Sequence, residues 1–219
     1  MRRFVKVTGL ALLVNSALAN AGYIEIQVGQ ASADVSTETY SGTASGVTVT
    51  GFGANLDYDT SFTAGLEFGG NITENIRMGA SFTTMDLDFE KAVINGSITD
   101  GTTTLTGPLT ITAADAASVG VTFDNEVNIY QLHGYYDFAP DAEFRPYVGG
   151  GIGFAEIENA ADNELALSAS IGGNYMITDN AYIGVRISAV NVGGVTDKLG
   201  IPYDDTTVTS AAVSLGISF

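Results

Sequence analysis

Ser210-Ala211-Ala212-Val213-Ser214-Leu215-Gly216-Ile217-Ser218-Phe219 alternates between apolar and small or polar side chains, apolar residues falling at 211, 213, 215, 217 and 219. A helix would spread residues two apart around its circumference. Only an extended strand sorts them, one set to each face. This stretch is therefore a strand with one oily and one polar side.

The same period runs back through the chain in segments of about ten residues, the length that crosses a bilayer as a tilted strand. Ile24, Ile26 and Val28 alternate with Glu25 and Gln27, and Phe62, Ala64, Leu66 and Phe68 with Thr63, Gly65 and Glu67. Ile76, Met78, Ala80 and Phe82 alternate with Arg77, Gly79 and Ser81. Parity then slips near Thr83-Thr84 before Met85, Leu87 and Phe89, which reads as a bulge or as the point where the strand leaves a bilayer. Further on, Tyr130, Leu132, Tyr136 and Phe138 oppose Gln131, His133, Tyr135 and Asp137. Val148, Ile152 and Phe154 oppose Arg145, Tyr147 and Gly149, while Leu165, Leu167, Ile171 and Tyr175 oppose Glu164, Ser168, Ser170 and Asn174. Ile183, Val185 and Ile187 oppose Tyr182, Arg186 and Ser188. With the segment quoted first, eight strands result.

Their connections alternate in length. Residues 71–75, 139–143 and 178–180 are tight turns, whereas roughly 34–60, 90–125, 156–163 and 192–207 are longer. Short turns at one end and long loops at the other describe an outer-membrane barrel, closed so that no strand edge meets lipid. Both termini then fall on the short-turn, periplasmic side. A soluble β-sandwich has the same period, but it does not place Glu25, Glu67, Arg77, Arg145 and Arg186 in mid-strand on its polar face. Such charges suit a wet lumen. The expected fold is all-β, an eight-stranded antiparallel up-and-down transmembrane β-barrel.

Composition narrows the function. A formal charge of −17 argues against nucleic acid as a partner and against a basic patch on anionic lipid. With no cysteine there is no disulfide framework and no thiolate metal site. Arg2, Arg3 and Lys6 precede the apolar run Val7–Val14 and two small-residue sites, Ala17-Leu18-Ala19 and Ala19-Asn20-Ala21. That is a secretory leader over residues 1–21, with cleavage after Ala21 favoured over Ala19 because the first strand pattern starts at Gly22. Residues 22–219 are the barrel.

Four stretches resemble a known family. Val213-Ser214-Leu215-Gly216-Ile217-Ser218-Phe219 resembles the signal read by the outer-membrane insertion machinery, with Val213, Leu215, Ile217 and Phe219 as its apolar positions. Phe144-Arg145-Pro146-Tyr147-Val148-Gly149-Gly150-Gly151-Ile152-Gly153-Phe154 resembles a strand of the small OmpA-like, OmpX-like and opacity-type barrels, and 72–76 and 177–181 resemble their periplasmic turns. The resemblance implies a surface-exposed barrel that meets periplasmic chaperones and the barrel-assembly machinery during biogenesis, with outer-membrane lipid and lipopolysaccharide as its surroundings. The peptidoglycan-binding domain of full-length OmpA has no counterpart in this sequence, so a cell-wall tether is not implied.

The candidate site is a lumen charge network of Glu25, Glu67, Arg77, His133, Arg145 and Arg186. A barrel of this size has an interior just wide enough for side chains, and unpaired ions there cost several kcal/mol, so a structural plug is expected ahead of a narrow ion or solute path. His133 is the one histidine; Ser81 or Ser170 can approach it in space, but no second base is in view and an outer-leaflet lipid-modifying enzyme is the weakest alternative. No catalytic, cofactor or metal residues are assigned. The loops carry acids throughout, from Asp34 and Glu38 through Asp100, Asp115 and Asp124 to Asp197, Asp204 and Asp205, without the spacing of a calcium loop. The expected role is structural or surface-displaying: envelope integrity, adhesion or a surface antigen. Residues 90–125, rich in Thr, Gly and Val, can extend as a hairpin and offer an edge to a partner strand.

Overall fold

A computed structural model describes residues 22–44, 46–118, 120, 125–158, 160–196 and 202–219. The expected leader, Asp124 and Asp197 lie outside the described residues. Eight strands form the barrel: β1 (Gly22–Ser36), β4 (Ser61–Asn71), β5 (Ile76–Leu87), β9 (Asn125–Asp137), β10 (Phe144–Ile157), β11 (Glu164–Met176), β12 (Ala181–Val192) and β13 (Thr206–Ser218). Each pairs antiparallel with its neighbour, and β13 returns to β1 from Tyr23↔Ser218 to Asp34↔Thr207, closing the wall. The chain is an all-β closed barrel.

The tight turns gather at one end. Thr73 and Thr178 set two of them alike: the amides of Ile76 and Ala181 donate to the threonine hydroxyls, and Ile72 and Ile177 donate to the carbonyls of Ile76 and Ala181. A hydroxyl bonding the backbone a few residues on is what makes threonine a turn former here.

The outer wall is apolar. Ile26, Leu66, Leu167 and Leu215 are 58%, 43%, 45% and 55% exposed, whereas Glu25 and Glu67 are 1% and 0% exposed. A water-soluble barrel would have this reversed. Phe82, Tyr130 and Phe154 form a contiguous aromatic row on neighbouring strands toward the loop end, and Tyr136 packs edge-on to Phe138 toward the turn end. Aromatic girdles of this kind bracket the hydrocarbon layer in membrane barrels.

One sequence expectation is corrected. β5 pairs with β4 and β9 without a register shift from Arg77 to Met85 and beyond, so there is no bulge at Thr83-Thr84. Met85 and Leu87 keep the inward parity of Arg77 and Ser81; their apolarity belongs to the inside. The first two long connections are mostly strand, the second as the hairpin expected from its sequence. β2 (Tyr40–Ala44) and β3 (Val47–Tyr58) form a hairpin, and β6 (Phe89–Thr99) is met by β7 (Thr104–Thr106) and β8 (Leu109–Thr112), followed by the short helix α1 (Ala113–Ser118). β3 pairs with both the top of β1 and β6, so the wall continues past the aromatic row as a standing sheet in the order β2-β3-β6-β7/β8.

Candidate functional site

Inward residues read off each strand in layers. From the turn end, β1 presents Tyr23, Glu25, Gln27 and then Ala31 and Ala33; β12 presents Tyr182, Arg186, Ser188 and then Val190 and Val192; β9 presents Asp137, Tyr135, His133, Gln131 and then Ile129 and Val127. A charged aromatic layer, a polar layer and an apolar layer are therefore stacked along the axis.

The charged layer is built around Arg186. Its Nη1 lies 2.9 Å from Glu67 Oε2, its Nη2 3.2 Å from Glu25 Oε1, and its Nε donates to the Tyr147 hydroxyl at 3.0 Å. Glu25 and Glu67 are direct cross-strand partners on β1 and β4, so without Arg186 two like charges face one another in a dry interior. Neutral donors complete the shell. Tyr23 and Tyr135 donate to Glu67 at 2.6 and 2.8 Å, and Tyr182 and Gln27 donate to Glu25 at 2.8 and 2.9 Å. Nearer the turn end, Arg77 grips both oxygens of Asp137 at 2.7 and 3.1 Å and lies 4.8–5.2 Å from the ring centroids of Tyr23, Tyr135 and Tyr147.

Glycines make room for those rings. A methyl group at Gly216 would sit 2.1 Å from the Tyr182 ring, and one at Gly149 would sit 2.2 Å from Tyr135. The glycine run of β10 is thus a recess for the rings of β9.

The six residues singled out from sequence separate. Glu25, Glu67 and Arg186 form one cluster; Arg77 belongs with Asp137, which the sequence reading had not nominated. His133 contacts Ser81, Oγ to Nε2 at 2.8 Å, and stacks on Tyr135 at 5.6 Å. Arg145 stands apart: partly exposed beside its turn, it donates Nε to the Ala142 carbonyl at 3.1 Å. Asp137 was passed over although its parity is inward, and the four tyrosines were missed because they carry no formal charge. A tyrosine at inward parity with glycine opposite it in the neighbouring strand is the signal that finds them.

Above this layer lies a cavity of about 50 Å³, lined by Thr63, Ser81, Gln131, His133, Ser170 and Ser188 among others. That is room for a few waters and too little for a lipid or sugar. His133 Nδ1 and Ser170 Oγ make no hydrogen bond within the protein, so no carboxylate orients His133 from behind. Ser81 and His133 therefore lack the third member that a hydrolytic triad needs. Among the described residues no three acids or histidines converge as a metal site.

The apolar layer closes the loop end. Ala31, Met85, Val127, Ile129, Val190 and Val208 pack with Leu56, Phe89 and Ala116, and Tyr203 joins from the last long connection. The Tyr203 amide donates to Val195, and Asp204 and Glu38 tie that connection to the first through Ser36 and Pro202. Among the described residues, these side chains pack across the mouth.

No family model matches this chain. Over 133 residues it is 28% identical to the outer membrane protein PagN of Salmonella typhimurium, a match covering 50% of this chain and 56% of that protein. The chain thus spans about half the length of the curated relative. Among solved structures it is similar to Neisserial surface protein A, NspA, with a TM-score of 0.54 and 13% identity over 90% of this chain and 97% of that one. The outer membrane protein OprG of Pseudomonas aeruginosa aligns with a TM-score of 0.49 and 16% identity, covering 91% of this chain and 97% of OprG. The NspA likeness is one of fold, and PagN adds the compartment. This chain is an outer-membrane β-barrel protein, and its apolar belt faces the lipid of that membrane.

Proposed function

We propose that the protein is a closed, non-enzymatic scaffold that holds a rigid, acidic β-sheet above the outer membrane for contact with the surroundings. The observation that carries this reading is the double obstruction of the lumen. The Glu25–Arg186–Glu67 cluster fills one level and the apolar layer another, with only about 50 Å³ between them. A path for ions or solutes would require both to move. The loop-end wall, by contrast, is elaborated into ordered strands, which a mere connector between transmembrane segments does not require.

In this reading the short turns and both ends of the barrel are periplasmic and the standing sheet is extracellular, surrounded by lipopolysaccharide. Residues 1–21 act as the leader, removed after Ala21, and chaperones and the barrel-assembly machinery read Val213, Leu215, Ile217 and Phe219 during insertion. Those four side chains point outward and are 54–56% exposed. The charged layer is a structural plug. The name surface protein borne by NspA agrees with display at the cell surface.

Two measurements test the reading. Purified protein in planar bilayers is expected to give no conductance steps above background; reproducible steps would make it a pore. Whole cells treated with a protease are expected to lose the 100–104 turn while the 72–75 turn stays intact, and the opposite result would invert the orientation.

A further inference from the structure

The returning strand of the second hairpin, Thr104–Thr112, is an open edge. Among the described residues β7 pairs on one side only, with β6 through Ser97↔Thr106 to Thr99↔Thr104, and so does β8, through Lys91↔Thr112 to Ile94↔Leu109. The Gly107 amide donates to the Gly96 carbonyl at 2.8 Å, so the two short strands form one line. Apolar rows cross the sheet and run off this edge. Val49, Ile98 and Leu105 form one, and Ala54, Ile94 and Leu109 another. Their last members are 71% and 58% exposed.

Sheet edges are ordinarily blunted by charge, proline or bulges. Between Asp100 and Asp115 no charged side chain occurs, and Pro108 is the single interruption. The four residues of β8 beyond it are clear for pairing. Asp100 and Asp115 flank the edge, and acids outnumber bases on the strands behind it, where Asp57 and Glu90 stand against Lys91. Lys91 is the one base among the described residues of the long connections, and it is already held by Asp57 at 3.1 Å and Glu90 at 3.6 Å. A second copy of this chain would bring the same acids against them.

We infer that the β7–β8 edge is a docking site for an extended, basic polypeptide segment of another protein, which adds a strand and continues the two apolar rows with its alternate side chains. Backbone pairing supplies the contact, Leu105 and Leu109 supply the register, and the acids that surround the sheet favour Lys and Arg in the partner. This rests on the display reading above. It is tested on purified protein, where orientation in a cell plays no part, so the two fail separately.

The probe is a pair of fluorescent peptides of identical lysine and valine composition, each long enough to span Thr104–Thr112. One alternates the residues, and the other has all lysines first. Binding to the full chain in lipid nanodiscs is read by anisotropy. The alternating peptide is expected to bind at least about tenfold more tightly, and Leu105→Ser with Leu109→Ser to remove that preference while the unboiled gel mobility of the barrel is kept. Carbonyl-labelled peptide should shift to the strand band in the infrared. Equal binding of the two peptides would mean charge attraction alone and overturn the inference. So would binding of neither, or a chain dimer abolished by the same two substitutions.

Discussion

Arg186→Met is the sharpest perturbation of the lumen. Among the described residues the guanidinium is the one cation within hydrogen-bond distance of Glu25 and Glu67, which sit directly opposite each other on adjacent strands and are 1% and 0% exposed. At an effective dielectric near 20, a pair at this separation contributes about 4 kcal/mol, and breaking a buried pair costs roughly 3–5 kcal/mol. Tyr23, Tyr135, Tyr182 and Gln27 continue to donate to the two carboxylates, which holds the loss near that of a single broken pair, about 4 kcal/mol. Set against a total stability of roughly 5–15 kcal/mol, that removes between about a quarter and most of it. Adding Glu25→Gln and Glu67→Gln removes both stranded charges and is expected to return stability to within about 2 kcal/mol of the parent. The assay is equilibrium urea unfolding in phospholipid vesicles, followed by circular dichroism because the chain has no tryptophan. A loss below about 1 kcal/mol for the single substitution, or a triple variant no better than the single, refutes the reasoning.

Gly216→Ala forces the Tyr182 ring aside, since a β-carbon there would lie 2.1 Å from it, and the hydroxyl then leaves Glu25; a loss of about 1–3 kcal/mol in the same unfolding assay is expected, and Tyr182→Phe should lose less. Leu66→Arg on the outer belt is expected to cost about 2–4 kcal/mol in vesicles, and no change would place Leu66 away from lipid. In the β6–β7 turn, the amides of Thr103 and Thr102 and the Thr102 hydroxyl donate to Asp100, holding its carboxyl down at about 2. A depressed acid stabilises above its ordinary value of 3.8 and loses that contribution as pH falls through about 2, so the Asp100 carboxyl resonance should titrate near 2, and a midpoint at 3.8 would mean the turn is open.

Much of the wall was legible in the sequence because lipid on one side and side chains on the other impose period two on every strand, and parity alone put Ile26 outside and Glu25 inside. What period two does not state is the polarity of the inside. Met85, Leu87 and Phe89 looked like a change of face because the lumen was taken to be polar along its whole length; in fact β5 runs unbroken to Leu87, Phe89 opens β6, and the lumen turns apolar. The same change is visible in β12, where Arg186 and Ser188 give way at unchanged parity to Val190 and Val192. A switch of inner-face chemistry at the loop end of several strands is the pattern that reveals a plug. Arg145 misled for a different reason: its parity is inward, but it is the second residue of β10, where the wall has barely begun and the adjacent turn offers the Ala142 carbonyl. The standing sheet was foreshadowed by the Thr- and Val-rich stretch after residue 90. Its pairing of β3 with β6 was not, since a contact between two separate loops leaves no local period.

The inside-out arrangement is tested most directly by spin labels, which the absence of native cysteine makes clean. Leu66→Cys, Leu167→Cys and Leu215→Cys, labelled in vesicles, are expected to collide readily with oxygen and poorly with an aqueous nickel reagent. Thr63→Cys and Ser170→Cys on the inner face should be immobile and shielded from oxygen. Labels at 66 and 215 that are immobile and oxygen-shielded, with those at 63 and 170 freely reached from water, would contradict it.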